Sequence, residues 1–321
     1  EDGYGIIYSA GITSVGYMDV DATIDSNTLM GGDRGVRCGG SAWSSSYNTS
    51  ITGTGGIVRD LVITNNQISD MLYSGLMVTF SDYAMGLQGE NTVLIDGNTL
   101  NSNGRRGLNM DSGHYGAGSS IVDISITRND ISFNGNGYSN CQVGMSFAVY
   151  SSCSNSVSVD MRGNVLRNGP SSLVGTESGA GDLLMELDAW AGSPWYSSAS
   201  ANLTLSLGGG GTVQGYNTFS PRSSAATYSV SMEASSAVNA DLNLNGNWWG
   251  TTNPLEVEDL VFHGVDSSSL AIVDLSNLLA DALTYSVTHP NGAQRVRLTA
   301  GEGSGFVPYA GNLDISVTVD G

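Results

Sequence analysis

An asparagine followed two residues later by a large apolar side chain recurs along this chain, at Asn27/Leu29, Asn66/Ile68, Asn98/Leu100, Asn129/Ile131, Asn164/Leu166, Asn217/Phe219 and Asn247/Trp249. Three residues before each Asn stands Ile24, Ile63, Ile95, Ile126, Met161 or Leu244, with Gln214 the exception, and five before stand Leu61, Val93, Ile124, Val159 and Leu242. Alternate residues are therefore apolar, which is the period of a strand and not of a helix. The segments are rich in Val, Ile, Thr and Ser and punctuated by Gly and Asn, which again favours strands. A second strand opens with Gly eight or nine residues after most of these Asn, at Gly35, Gly75 and Gly107, with Gly144 following a longer insertion.

The Asn-to-Asn spacings are 39, 32, 31, 35, 53 and 30 residues, so length varies in the loops while the strand–turn–strand unit is kept. One such unit cannot bury its single apolar stripe, so successive units must stack in register as a solenoid. Stacking at the ~4.8 Å inter-strand spacing turns each sequence position into a ladder. The Asn column becomes an internal ladder of side-chain amides that satisfies turn backbone. The expected fold is all-β, a parallel β-helix of about seven coils over residues 1–280. Beyond it, residues 281–321 alternate as short runs such as LTYSVTHP and LDISVTVDG, a small β module or the start of a further domain.

Glycine supplies 44 of 321 residues while charged residues are only 13%, a composition unlike that of an ordinary helical enzyme. Thirty acids face eleven basic residues, all Arg, for a net charge of -19. That balance argues against nucleic acid and anionic membrane surfaces as partners, since both require basic footprints. No stretch approaches the ~20 apolar residues needed to span a bilayer, so no membrane insertion is expected. The chain opens on Glu1 without a signal-peptide pattern and reads as a processed or excised segment.

The Asn repeats, together with Gly246-Asn247-Trp248-Trp249-Gly250 followed by Pro254 and Ile272-Val273-Asp274-Leu275-Ser276, resemble the right-handed parallel β-helix repeat proteins of bacterial and archaeal secreted and surface proteins. The resemblance covers roughly residues 20–280 and implies both the right-handed sense and an extracellular or cell-surface location. The Trp-containing segment looks like that family's closing module. Independently of the resemblance, a solenoid's last coil leaves apolar surface and an unpaired edge that must be covered. Trp248 and Trp249 suit that cap.

The same resemblance brings polysaccharide lyases and hydrolases into view. Lyases of this architecture pair acidic calcium ligands with an Arg or Lys base, and Asp33, Arg34, Asp70, Asp82, Arg105, Arg106, Asp111 and His114 flank the second strand here. The most enzyme-like cluster is Asn109, Asp111 and His114, a carboxylate and an imidazole near enough for acid–base chemistry or a metal. The alternative is an Asx-type turn at Asp111 and Ser112, with His114 on an exposed loop. Hydrolases need two carboxylates on adjacent coils, and no such Asp–Asp pair is evident. His263 and His289 have no evident catalytic partner in sequence.

Calcium is the one cofactor the acidic groups suggest, at Asp19 with Asp21, at Asp111, at Glu186 with Asp188, or at Glu256, Glu258 and Asp259. A solvated acidic surface is the alternative for each, since none has EF-hand or nonapeptide spacing. Cys38 is expected as a buried structural thiol in the column of Val78, Met110 and Phe147. Cys141 and Cys153 flank one strand and either close a local disulfide or stay reduced.

The expected function is that of an extracellular structural or adhesive surface protein. In a sharper variant it is a filament subunit assembled through terminal strands, either residues 313–319 or the first coil's edge around residues 6–20. The alternative is a carbohydrate-active enzyme, lyase or hydrolase, or a glycan-binding β-helix using the face near Asn109, Asp111 and His114. The partners would then be further copies of the chain or surface glycans.

Overall fold

The computed structural model describes residues 4–9, 17–42, 55–82, 87–115, 119–135, 141–150, 154–169, 180–190, 200–206, 215–219, 227–234, 239–282, 284–288 and 295–299. Three parallel sheets wind around one core. The first sheet stacks Tyr4–Ser9, Arg34–Ala42, Leu76–Asp82, Leu108–Tyr115, Val143–Tyr150, Ala180–Trp190, Tyr228–Ala234 and Val261–Phe262. The second stacks Tyr17–Asp25, Gly55–Thr64, Leu87–Asp96, Ser119–Thr127, Ser154–Arg162, Ser200–Ser206 and Asn239–Asn243. The third is built of short strands, Thr28–Met30, Gln67–Ser69, Thr99–Asn101, Asp130–Ser132, Val165–Arg167 and Thr218–Phe219. The repeat implies about seven coils, and the three sheets have eight, seven and six strands. The fold is a parallel β-solenoid.

The apolar columns legible in the sequence form the core. Leu61, Ile63, Val93, Ile95, Val122, Ile124, Ile126, Val157, Val159 and Met161 are buried along the second sheet, and Ile68, Leu100, Ile131, Leu166, Phe219 and Trp249 along the third. Each ladder Asn links to the next by Nδ2 donating to Oδ1, from Asn27 through Asn66, Asn98, Asn129, Asn164 and Asn217 to Asn247, at 2.9–3.0 Å. The backbone N–H of each Asn from 27 to 217 also donates to the next Oδ1. From Asn66 to Asn217, the second Nδ2 hydrogen reaches a carbonyl of the preceding coil. The buried corner is thereby satisfied, as a dry interior requires.

Corner geometry explains the tolerance for varied residues beside the Asn. The residue preceding each ladder Asn is left-handed, with φ between 54° and 66° at Ser26, Asn65, Gly97, Arg128, Gly163, Tyr216 and Gly246. The fourth residue after it is left-handed too, at Gly31, Asp70, Ser102, Phe133 and Asn168. A non-glycine residue in this region costs roughly 1–2 kcal/mol, so the ladder and the flanking strands hold these corners against local preference.

A second, shorter ladder lies at the opposite end of the third-sheet strands. Asn103 Nδ2 donates to Asn134 Oδ1 at 2.8 Å, and Asn134 Nδ2 donates to Gln142 Oε1 at 3.1 Å. Gln142 stands there because the register differs from the sequence expectation. Leu108 pairs with Val143 and Asn109 with Gly144, so Gln142 takes the level of Gly107 and Gly144 does not open its strand. The longer insertion before this strand shifts its start. The Cys38 column accordingly continues through Val78, Met110, Met145, Met185 and Met232, while Phe147 pairs with Ser112. Cys38 is fully buried, and burial pushes its thiol up to about 12.

The interior also holds charge. Arg59 is fully buried, donates from Nη1 to Asn91 Oδ1 at 2.8 Å and lies over the Phe80 ring at 5.3 Å. Such stacking suits a planar, weakly hydrated guanidinium.

At the far end, Trp249 is buried and stacks on Phe219 with centroids 4.5 Å apart, whereas Trp248 is only half-buried. Trp249 is thus the final rung of the third-sheet column. Much of the covering comes from the helix Pro254–Glu258 and the segment after it, through Val257, Leu260, Val261 and Val273. Asn253 caps that helix by accepting from the Leu255 N–H, with Pro254 opening it. Thr284–Thr288 and Arg295–Thr299 pair as an antiparallel hairpin, and residues 313–319 lie outside the described residues.

Candidate functional site

The outer face of the first sheet carries the densest polar chemistry of the candidate positions. Leu108–Tyr115 runs as one unbroken strand, so no turn intervenes at Asp111 and Ser112. Its alternation buries Leu108 and Met110 inward and sets Asn109 and Asp111 on the other face. Arg106 Nη1 donates to Asn109 Oδ1 at 2.5 Å, and Asn109 Nδ2 donates to Asp111 Oδ2 at 2.6 Å. A guanidinium, an amide and a carboxyl are joined in line. His114 falls three residues from Asp111, in the alternate set of Leu108, Met110 and Ser112, and its side chain is outside those described. The structure therefore brings Asn109 and Asp111 together.

Arg106 reaches this position because its neighbour is a glycine. A Cβ at Gly144 would come within 2.3 Å of the Arg106 Cζ, so the guanidinium lies across bare backbone. It also hydrogen-bonds Cys141, a fully buried free thiol that burial pushes up despite the nearby positive charge. Cys153, which the sequence leaves either bonded to Cys141 or reduced, lies outside the described residues. Burial likewise holds the Asp111 carboxyl above the ordinary carboxylate range, partly offset by the Asn109 hydrogen bond and the Arg106 and Arg105 charges. A perturbed carboxyl fixed on a rigid strand face is a feature of functional sites.

Register extends the face. Asp111 pairs with Ser146, Ser146 with Glu186, and Glu186 with Glu233. Glu186 and Glu233 are the carboxylates on adjacent strands that no sequence pairing made evident, because insertions of different length precede each strand. Ser231 Oγ donates to Glu233 at 3.1 Å.

The remaining candidates are dispersed. Asp19 is exposed on the second sheet, where it pairs with Val58, and Asp21 beside it pairs with Asp60. Arg34 lies over the Tyr73 ring at 4.9 Å, away from Arg106. Glu256 is held by Thr251 and Asn253 at the helix start, which lowers its pKa. Glu258 accepts from His263 Nε2 at 2.8 Å, while His263 Nδ1 accepts the Val273 N–H at 3.0 Å. These bonds tie the cap together, a partnership for His263 that sequence spacing did not reveal. Among the described residues, no group of three or more His, Cys, Asp or Glu side chains could hold a metal ion.

No protein-family model matches the chain, and no curated protein or solved structure matches it. What the outer face can do rests on its own chemistry. Arg106 supplies N–H donors, Asn109 both donor and acceptor, and Asp111 an acceptor that becomes a donor when protonated.

Proposed function

We propose that this protein is an extracellular structural and adhesive solenoid that holds glycans on the outer face of its first sheet. The observation that supports this most directly is the hydrogen-bonded series Arg106–Asn109–Asp111, in which Asn109 and Asp111 stand on a strand whose opposite side is locked into the core and Arg106 just precedes it. Sugar hydroxyls are both donors and acceptors, and the series offers both in fixed positions. Rigid strands position such groups better than loops do. The acidic surface suits a protein that must stay soluble and unaggregated outside the cell.

The test is glycan retention by residues 1–321, with calcium and with chelator, compared with Asp111→Ala and Asn109→Ala. Retention should fall by tenfold or more in both variants while circular dichroism is unchanged. Failure to retain any glycan, or equal retention by the variants, overturns the reading. Cleavage of the retained glycan would move the site from binding to hydrolysis or lyase chemistry.

A further inference from the structure

Polar residues occupy successive rungs along the outer face of the first sheet. Thr79 pairs with Asp111, Asp111 with Ser146, Ser146 with Glu186 and Glu186 with Glu233, so each strand from Leu76–Asp82 to Tyr228–Ala234 supplies one. Strand alternation turns them all away from the core, opposite the buried column of Val78, Met110, Met145, Met185 and Met232. Each is half-buried, fixed on a strand yet open to a ligand from outside. Thr79 Oγ1, one rung from Asp111, is enclosed and has no hydrogen-bond partner. An enclosed hydroxyl left unbonded costs roughly 1–3 kcal/mol, which a group added at this rung would relieve. At ~4.8 Å per rung, the row runs about 19 Å along the solenoid axis.

We propose that the row Thr79–Asp111–Ser146–Glu186–Glu233 is a hydrogen-bonding track for an uncharged polysaccharide laid along the solenoid axis, its sugar units following the rungs. The proposal rests on the glycan reading above and names the ligand class and its direction. A polysaccharide, like a solenoid, repeats in one dimension, so a contact made at one rung recurs at the next and the contacts act together. Thr79 and Ser146 offer hydroxyls that donate or accept, and Asp111, Glu186 and Glu233 offer carboxyl oxygens to sugar O–H groups, in bonds that strengthen when the acceptor is ionised. Arg106 and Asn109 join the track at Asp111 and give that rung the most contacts. The row carries three carboxyl groups and no cation, and the whole chain carries -19, so a polymer of uronic acids meets like charge along its length.

The experiment is calorimetry on the full chain with fragments of β-glucan, xylan and mannan, from disaccharide to octasaccharide, and with polygalacturonate and alginate fragments as the acidic set. For the neutral polymer that binds, affinity should climb with fragment length to about five units and then level. Glu233 stands three rungs beyond Asp111, about 14 Å away at ~4.8 Å per rung. Glu233→Ala should therefore weaken the long fragments roughly tenfold or more and leave disaccharide binding at Asp111 unchanged, a pattern that misfolding does not produce. If affinity is flat with length, or if Glu233→Ala holds long fragments as the parent does while Asp111→Ala loses them, the track is wrong and the glycan site stands. Preference for polygalacturonate or alginate overturns the uncharged class. Binding of no fragment of any length overturns both proposals.

Discussion

Replacing Asn129 by alanine tests how the solenoid holds its corners. Its Oδ1 accepts from the Asn98 backbone N–H at 2.8 Å and from Asn98 Nδ2 at 3.0 Å, and its Nδ2 donates to the Ile95 carbonyl and to Asn164 Oδ1, each at 2.9 Å. Truncation leaves the buried Asn98 N–H without its acceptor and takes a donor from the Ile95 carbonyl. Asn164 Oδ1 still receives the Asn129 N–H, and Asn98 Nδ2 still reaches the Ile63 carbonyl. One orphaned buried N–H at ~1–3 kcal/mol and the lost bond to the Ile95 carbonyl at ~0.5–1.5 kcal/mol give a loss of about 1.5–4.5 kcal/mol. Asn27 is the control, being only half-buried, with its Nδ2 donating to the Asp25 carbonyl and to Asn66 Oδ1. Asn66 Oδ1 keeps the Asn27 N–H, so Asn27→Ala should cost about 0.5–1.5 kcal/mol. Solenoids need not unfold in one step, so residue-resolved hydrogen exchange is the assay. Asn129→Ala should speed exchange at Asn98 more than tenfold and spread to the neighbouring corners. Asn129→Asp should do worse, since a carboxylate cannot donate to Ile95 and faces Asn164 Oδ1. Equal effects at positions 27 and 129, or a loss below about 0.5 kcal/mol at 129, would refute the ladder as a source of stability.

Asp111 holds its proton to higher pH in the folded chain than in the unfolded one, so its contribution to stability declines as pH rises from the unfolded value near ~4 through the raised folded value. Asp111→Asn should therefore melt at a higher temperature than the parent at pH 7, with the gap closing below about pH 4, while glycan affinity falls. A lower melting temperature at pH 7 would contradict the burial argument. His263→Ala removes the acceptor of the Val273 N–H and the partner of Glu258, and should lower exchange protection in residues 254–273 by about 1–3 kcal/mol before the core strands respond. A uniform loss across all three sheets would show that the cap is not a separate unit.

The second and third sheets are legible because their apolar positions keep fixed offsets from the Asn, and one offset determines both face and register. The first sheet is not anchored in that way. Its strands begin after insertions of unequal length, so Gly144 resembles a strand opener although Gln142 holds that level. The same slippage conceals the Glu186–Glu233 pairing, which no constant sequence interval marks. The shorter ladder did leave a signal, since Asn103 and Asn134 each follow a ladder Asn by five residues. Arg59 left none, because a single Arg among alternating apolar residues looks the same whether it faces Phe80 or solvent. Within the site, alternation is enough to join Asn109 to Asp111, while Arg106 enters only through the missing side chain at Gly144.

The long Asn ladder gives the rod a direction. Each amide from Asn27 to Asn217 gives one Nδ2 hydrogen to the next ladder oxygen on the C-terminal side, and each Oδ1 from Asn66 to Asn247 accepts from the N-terminal side. Their dipoles add as the peptide units of a helix do, whereas the dipoles of the sheets largely cancel. The two ends of this column are therefore electrically unlike. A coil gained by duplication or lost by deletion preserves that sense, and an inverted coil would set oxygen against oxygen at its junction, so the architecture can change length in evolution without changing its polarity.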